Sequence, residues 1–190
     1  GNITRYSYMD QLLSTITDPA QESVLYRYDA AGNKIGMQNS RGMYLSLDYD
    51  YNRNITKKTL QQTNYNFRYD YASRLIHEDG PHGFTDYGYD ARSNITRINW
   101  NGTDSITINY TSGGKITSLL YPDKTLISYN YDAFNRLSKM TWNDQTIDFQ
   151  YNTNGNLQHI IRSNGWKTHH TFDSEGRLEK ISHIQHTDTV

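Results

Sequence analysis

The feature that most constrains this chain is an internal repeat of 20 or 21 residues. An aromatic residue recurs along the 190 residues at successive gaps of 20, 21, 20, 20, 21, 21, 20 and 21. These nine anchors are Tyr8, Tyr28, Tyr49, Tyr69, Tyr89, Tyr110, Tyr131, Tyr151 and Phe172. Such regularity excludes coincidence and predicts a tandem array in which each repeat is one small supersecondary unit. Positions within a repeat are given below as offsets from its anchor.

The residues around each anchor predict two short strands per repeat. An apolar side chain stands at minus two in most repeats, at Tyr6, Tyr26, Leu47, Phe67, Tyr87, Ile108, Tyr129 and Phe149, with His170 as the exception. A spacing of two places it on the same strand face as the anchor. Leucine or isoleucine follows at plus six, and Met37, Ile98, Leu119, Met140, Ile160 and Ile181 stand at plus nine. Because a spacing of three breaks strict alternation, we expect a bulge or bend between these two positions.

Two tight turns complete each repeat. The first begins at plus one with Asp29, Asp50, Asp70, Asp90, Asp132 and Asp173, replaced by Thr111 and Asn152 in two repeats. An aspartate there accepts hydrogen bonds from backbone amides two residues on, and the glycines at plus four (Gly32, Gly114, Gly155 and Gly176) suit a positive φ. The second turn lies midway between anchors, as at Asn101-Gly102 and Asn143-Asp144. The sequence therefore predicts an all-β meander of about nine repeats, a single array over residues 1–190.

The first four repeats depart from this pattern. The turn after Tyr8 is one residue short, and Lys34 stands at plus six where the other repeats have leucine or isoleucine. The third and fourth repeats have Lys58 and Glu78 at plus nine. Individual lapses are tolerable because the stability of an array is approximately a sum over neighbouring repeats.

The composition argues against several classes of function. The 17 tyrosines against 5 phenylalanines, in a chain that is only 35% hydrophobic, mean that tyrosine must supply much of the buried area. The 19 basic and 20 acidic residues form no basic stripe, which argues against nucleic-acid binding. No apolar run reaches the roughly 18 residues of a membrane span, and the first residues lack a signal-peptide pattern. There is no cysteine for a disulfide or thiolate.

The sequence contains no strong pattern of metal-binding or catalytic residues. The nearest metal candidates are His169 with His170, and the trio His77, Asp79 and His82. Adjacent strand residues point to opposite faces, and no third ligand recurs beside the trio. The aspartates recur once per repeat with a local backbone role, whereas a catalytic pair needs an asymmetric setting that separates its pKa values. We expect no catalytic residue, no metal site and no cofactor.

Three segments carry a family resemblance. Residues 26–33 (YRYDAAGN), 129–137 (YNYDAFNRL) and 172–178 (FDSEGRL) resemble YD repeats of the RHS family, and the match in register covers essentially the whole chain. This family includes bacterial polymorphic toxins, wall-associated proteins, insecticidal toxin-complex components and teneurins. The resemblance implies a curved, spirally wound β-sheet that forms a hollow shell, which in the bacterial toxins encloses a cytotoxic C-terminal domain.

The resemblance also sets expectations for the rest of the protein. Family toxins end their repeats with a core segment that contains a DPxG-type motif, and none of Pro19, Pro81 and Pro122 lies in one. We therefore expect an excised stretch of a much larger, secreted or cell-surface protein. Its partners would be the remainder of the shell and an encapsulated toxin or other cargo. Cut strand edges would also allow self-association.

A second interpretation remains open, namely an extracellular carbohydrate-binding or adhesion array. Trp100, Trp142 and Trp166 lie near the turns between repeats, where exposed indole faces would stack on sugars. The opposing interpretation is that these side chains cap the hydrophobic face at the turn.

Overall fold

The computed structural model describes residues 2–185, and every regular element in that range is a β-strand. The strands are β1 (Arg5–Met9), β2 (Leu12–Thr17), β3 (Ser23–Tyr28), β4 (Lys34–Asn39), β5 (Tyr44–Tyr49), β6 (Ile55–Leu60), β7 (Thr63–Tyr69), β8 (Leu75–Gly80), β9 (Gly83–Tyr89), β10 (Ile95–Trp100), β11 (Asp104–Tyr110), β12 (Ile116–Leu120), β13 (Leu126–Tyr131), β14 (Leu137–Trp142), β15 (Gln145–Tyr151), β16 (Leu157–Arg162), β17 (Trp166–Phe172) and β18 (Leu178–Gln185). The predicted all-β fold is confirmed, and each odd-numbered strand from β3 onward ends at an anchor.

The described residues group into two compact units. One comprises residues 2–89 and 98–103, and the other residues 90–97 and 104–185. In the first unit, consecutive strands from β1 to β9 pair antiparallel. In the second, the same holds from β11 to β18. Each unit is thus a meander of hairpins, as the repeat predicts, while a single array over the whole chain stays a prediction.

A β-bulge recurs where the second strand of each hairpin begins. Tyr131 pairs with Leu137 and Asn130 with Lys139, so Ser138 at plus seven has no partner across the ladder. The predicted bulge is confirmed, and it lies at the same position in the repeats anchored at Tyr49, Tyr69, Tyr110, Tyr151 and Phe172. The extra residue restores the register so that plus six and plus nine both face the anchor side of the sheet. Tyr129 accordingly lies opposite Met140.

The first two repeats show how the fold accommodates departures from the repeat pattern. In the first, Asp10 and Gln11 form a two-residue turn with φ of 49° and 66°, which replaces the longer aspartate turn and explains the missing residue. In the second, Lys34 pairs with Tyr28 and Ile35 becomes the bulge residue. The Lys34 ammonium lies 4.8 Å from the centre of the Tyr26 ring, a cation–π contact that compensates for the lost aliphatic side chain.

Burial is shallow throughout the described chain. No hydrophobic side chain there is fully buried, and the anchors and their apolar partners are mostly half-buried. A half-buried row suits tyrosine, whose ring packs while its hydroxyl reaches a polar partner at the edge. The array therefore depends on rows of contacts between repeats rather than on a closed core.

The plus-four turn position provides a clean stability test. Gly114 has a φ of +81°, and an added methyl group would meet no atom within 4 Å, so Gly114→Ala should cost about 1 kcal/mol through backbone strain alone. The neighbouring Gly113 lacks the positive φ, and a methyl there meets only Thr111 at 3.7 Å. Gly113→Ala should be neutral or slightly stabilising. Urea unfolding of both variants checks this, and equal losses would contradict it.

Candidate functional site

The anchors form a hydrogen-bonded row that links successive repeats. The Tyr131 hydroxyl donates to the carbonyl oxygen of Ile116 at 2.8 Å, and Ile116 is the residue paired with the previous anchor, Tyr110. Equivalent bonds of 2.7–3.0 Å run from Tyr28, Tyr49, Tyr89, Tyr110 and Tyr151 to the corresponding carbonyl of the preceding hairpin. We call these six residues the tyrosine ladder. Each bond satisfies a main-chain acceptor and fixes one hairpin against the next.

Burial affects the ionisation of three ladder hydroxyl groups. Burial raises the pKa of Tyr49, Tyr89 and Tyr110 above the ordinary tyrosine value. Outside the ladder, burial and a 2.7 Å hydrogen bond to Glu78 raise the pKa of Tyr87 to about 12. Glu78 occupies a plus-nine position that is usually apolar, and this bond gives its carboxylate a partner. Protonated hydroxyls are the donors that the row requires.

The aspartate turns close each hairpin at the anchor end. Asp29 Oδ1 accepts the backbone N–H groups of Ala31 and Asn33 at 2.9 and 2.8 Å, and Oδ2 accepts the Asn33 side-chain amide at 2.8 Å. The same main-chain bonds recur at Asp50, Asp70, Asp90, Asp132, Asn152 and Asp173. The role predicted for the aspartates is therefore present in the structure.

The plus-four residue of the turn has a left-handed backbone conformation even where it is not glycine. The four plus-four glycines have φ between 80° and 86°, as expected. Arg53, Ser73, Ser93 and Asn135 occupy the same position with φ between 59° and 67°. Sequence reasoning missed all four, and Arg53, Ser73 and Ser93 give no local signal of a positive φ, whereas asparagine adopts it more readily. Only the alignment of the repeats would have revealed them.

Turn and ladder are joined by side chains at plus five. The Arg136 guanidinium bonds Asp132 at 2.7 Å and lies 4.1 Å from the centre of the Tyr151 ring, in the next repeat. Arg74 lies likewise over Tyr89, at 4.7 Å. Each such cation connects the turn of one repeat to the anchor of the following one through a salt bridge and a cation–π contact.

Solved structures share the fold of this chain. The chain superposes on the Photorhabdus luminescens Tc holotoxin pore with a mutated TccC3 (TM-score 0.65, 15% identity, 98% of this chain). It also superposes on TcdB2–TccC3–Cdc42 (TM-score 0.66, 15% identity, 99% of this chain). A third match is TcdB2–TccC3 without its hypervariable C-terminal region (TM-score 0.65, 14% identity, 100% of this chain). This chain spans 12% of the length of each of these three.

These toxin-complex chains are RHS/YD-repeat shell proteins. The chain has the RHS-repeat fold. The resemblance read from the YD motifs is thereby confirmed for the fold, at a sequence identity too low to transfer activity. No family model matches the sequence, and no curated protein matches it.

The histidines of this RHS-type array pair differently from the sequence-based candidates. His77 lies 2.6 Å from Asp86 and 3.4 Å from Asp79, whereas His82 is exposed in the turn between β8 and β9. His169 lies opposite His159 across β16 and β17, with their Nδ1 atoms 3.0 Å apart. Sequence reasoning missed Asp86 and His159 because both contacts depend on strand register. Residues 2–185 contain no group of three or more potential ligands arranged for a metal ion.

The tryptophans lie on the anchor side of the sheet, at the end of the hairpins far from the aspartate turns. Trp142 ends β14 two residues after Met140 and so shares its face. Trp100 ends β10 and Trp166 begins β17, and these two are 38% and 39% exposed. This placement fits an edge position of the apolar row. A carbohydrate-binding role for the three residues stays a prediction.

The ladder predicts opposite effects for two conservative substitutions. Tyr131→Phe removes the bond to Ile116 and should cost about 0.5–1.5 kcal/mol. Phe172 is the anchor without a hydroxyl, and by equivalence Phe172→Tyr would reach the Leu157 carbonyl and gain a similar amount. Urea unfolding midpoints measure both changes. A loss from Phe172→Tyr, or no loss from Tyr131→Phe, would contradict the ladder.

The aspartate turns predict acid sensitivity. Hydrogen bonds from the plus-five residue and the turn amides hold the pKa of Asp29, Asp50, Asp70, Asp90, Asp132 and Asp173 below its ordinary value. Because the folded-state pKa is depressed, this stabilisation is fully present above the unfolded value of about 3.9 and is lost as pH falls through the folded one. The melting temperature should therefore fall steeply below about pH 4.

A matched variant isolates one carboxylate. Asp29→Asn converts its turn into the arrangement already present at Asn152, which also has glycine at plus four and asparagine at plus five. The variant should lose less stability between pH 5 and pH 2 than the unaltered protein, because one titrating group is gone. Identical acid melting curves would show that these turns do not set the acid sensitivity.

Proposed function

We propose that this chain is a non-catalytic wall segment of an RHS-type shell that encloses a toxin or other cargo. The observation that carries the proposal is the tyrosine ladder, since the same contact joins a hairpin to the preceding one at six anchors. The match to toxin-complex shell chains over nearly the whole of this chain supports it.

A wall of this kind would sequester a cargo without any reactive residue. Neighbouring strands of a β-sheet lie about 4.8 Å apart, and the main-chain groups between them are hydrogen-bonded to each other. A polypeptide cannot pass through such a wall unless strands separate. The tyrosine ladder resists separation between hairpins, and the aspartate turns hold each hairpin closed at its end. A structural, non-enzymatic role is compatible with the shell proteins that the chain resembles.

The partners under this proposal are the remainder of the shell and the cargo behind it. The solved TcdB2–TccC3 chains include forms with Cdc42 and without the hypervariable C-terminal region. Cdc42 and the hypervariable region belong to those solved proteins. That this protein encloses a cargo of its own is part of the proposal. Action outside the producing cell is proposed on the same resemblance. Among residues 2–185 no helix has the length and apolarity to span a membrane.

Resistance to protease, measured on a longer form of the protein, tests whether the repeats form an enclosing wall. The chain would be produced with its natural flanking sequence, treated with protease over a series of urea concentrations and followed by mass spectrometry. We expect a segment outside residues 2–185 to remain intact until the urea concentration that unfolds the repeats, with both transitions coinciding. Digestion of all flanking sequence under native conditions, or flanks without further repeats, would refute the proposal.

The ladder supplies a matched variant for this experiment. Replacing Tyr110, Tyr131 and Tyr151 with phenylalanine removes three hydroxyl bonds but keeps the rings. Both the unfolding of the repeats and the loss of protection should then shift together to lower urea. If only one of these two transitions shifts, protection of the flanking segment does not depend on the stability of the repeats.

A further inference from the structure

Two histidines face each other where the repeat anchored at Tyr151 meets the next one. His159 on β16 lies directly opposite His169 on β17 in the strand ladder. Both lie on the sheet face opposite the anchors, since each directly precedes an anchor-face position, Ile160 or His170. Directly opposite residues of antiparallel strands have Cβ atoms about 4.5–5.5 Å apart, so strand pairing itself brings the two rings together. We call His159 and His169 the histidine pair.

The two imidazole rings of the histidine pair are in contact. Their centroids are 4.5 Å apart with an angle of 26° between the ring planes, and the two Nδ1 atoms are 3.0 Å apart. A neutral imidazole has one N–H group and one lone pair, so one Nδ1 donates a hydrogen bond and the other accepts it. When the shared proton moves to Nε2 of its ring, both Nδ1 atoms direct a lone pair at the same space. Two converging nitrogen lone pairs are half of a four-coordinate metal site.

The surroundings of the histidine pair favour neutral imidazoles. Burial, together with the basic groups of Lys167, His169 and His170, lowers the pKa of His159 below the ordinary histidine value. Neutral imidazole is the form that binds metal ions. The same Lys167 charge also opposes a bound cation, so the pair would select ions that bond strongly to nitrogen. Both histidines are only partly buried, so an ion can reach them from solvent.

The separation of the two nitrogen atoms indicates which ions fit. With a metal–nitrogen bond of about 2.0–2.1 Å, nitrogens 3.0 Å apart correspond to a nitrogen–metal–nitrogen angle of about 95°. This is closer to the right angle of tetragonal sites than to the tetrahedral angle of ~109°. Cu²⁺ and Ni²⁺ prefer tetragonal sites, and Cu²⁺ binds most tightly among the divalent first-row ions. Residues 2–185 contain no group of three potential protein ligands, so water would complete the coordination.

We propose that His159 and His169 bind a divalent transition-metal ion, Cu²⁺ most tightly, and that the ion links the hairpin β15–β16 to the hairpin β17–β18. The junction between these hairpins lacks a ladder bond, because the anchor Phe172 has no hydroxyl to donate. A metal ion bonded to both strands supplies a side-chain link at this junction. An ion that binds the folded chain stabilises it by mass action. The inference does not depend on the proposed wall function.

Calorimetric titration tests the site on the whole chain, freed of metal and without an affinity tag. At about pH 7.5, above the ordinary histidine pKa of about 6.5, CuCl₂ should bind with one ion per chain. NiCl₂ and ZnCl₂ should bind more weakly, and MgCl₂ should not bind. His159→Gln and His169→Gln should each weaken Cu²⁺ binding at least about 10-fold. His82→Gln is the matched control, because it removes an exposed histidine in the turn between β8 and β9 and should leave the affinity unchanged.

Two measurements on the unaltered chain do not require any variant to fold. The electron paramagnetic resonance spectrum of the Cu²⁺ complex should show two nitrogen ligands, and hydrogen exchange should slow in β16 and β17 when Cu²⁺ is added. Unchanged Cu²⁺ affinity in both His159→Gln and His169→Gln, an equal loss in His82→Gln, or a spectrum without two nitrogen ligands would overturn the proposal. Protease protection is measured without metal ions, so failure of this site and failure of the wall function are distinguishable.

Discussion

The hydrogen bond from a ladder tyrosine to the carbonyl of the residue that pairs with the preceding anchor is the contact on which the rest of this structure depends. Backbone pairing joins strands in any β-sheet, but this bond adds the same side-chain link between successive hairpins at six anchors. Its acceptor lies one position before the bulge residue. The aspartate turn joins the two strands of each hairpin and sets the register between them.

A structure of this kind is stable without a closed core. None of the described hydrophobic side chains is fully buried, so the free energy of unfolding comes from many equivalent contacts between neighbouring repeats. Polar substitutions in the apolar rows are tolerated where a local partner exists, as for Lys34 over Tyr26 and Glu78 with Tyr87. The same additivity explains why the first repeat keeps its place with a shorter turn. A wall benefits from this property, because one weak repeat does not unfold its neighbours.

Much of the fold was predictable because each feature has a local cause that recurs. The anchors, the aspartate turns, the glycines with positive φ and the bulge all follow from spacing within one repeat, and the structure contains each of them. Contacts between repeats were harder to predict from the sequence. The partner of His77 was sought at His82 and is Asp86, and the contact of His169 with His159 was not anticipated. These pairs depend on the register between adjacent hairpins, which periodicity alone does not specify.

The sequence by itself determined the period, the strand and turn content, and the RHS-type fold, because these depend on side-chain alternation and turn chemistry within about 20 residues. Only the tertiary structure decided which acceptor each anchor hydroxyl reaches and which residues face each other between repeats. The physical reason is that a hydrogen bond or ion pair requires specific atoms within about 3–4 Å. Strand register, rather than residue type, brings those atoms together.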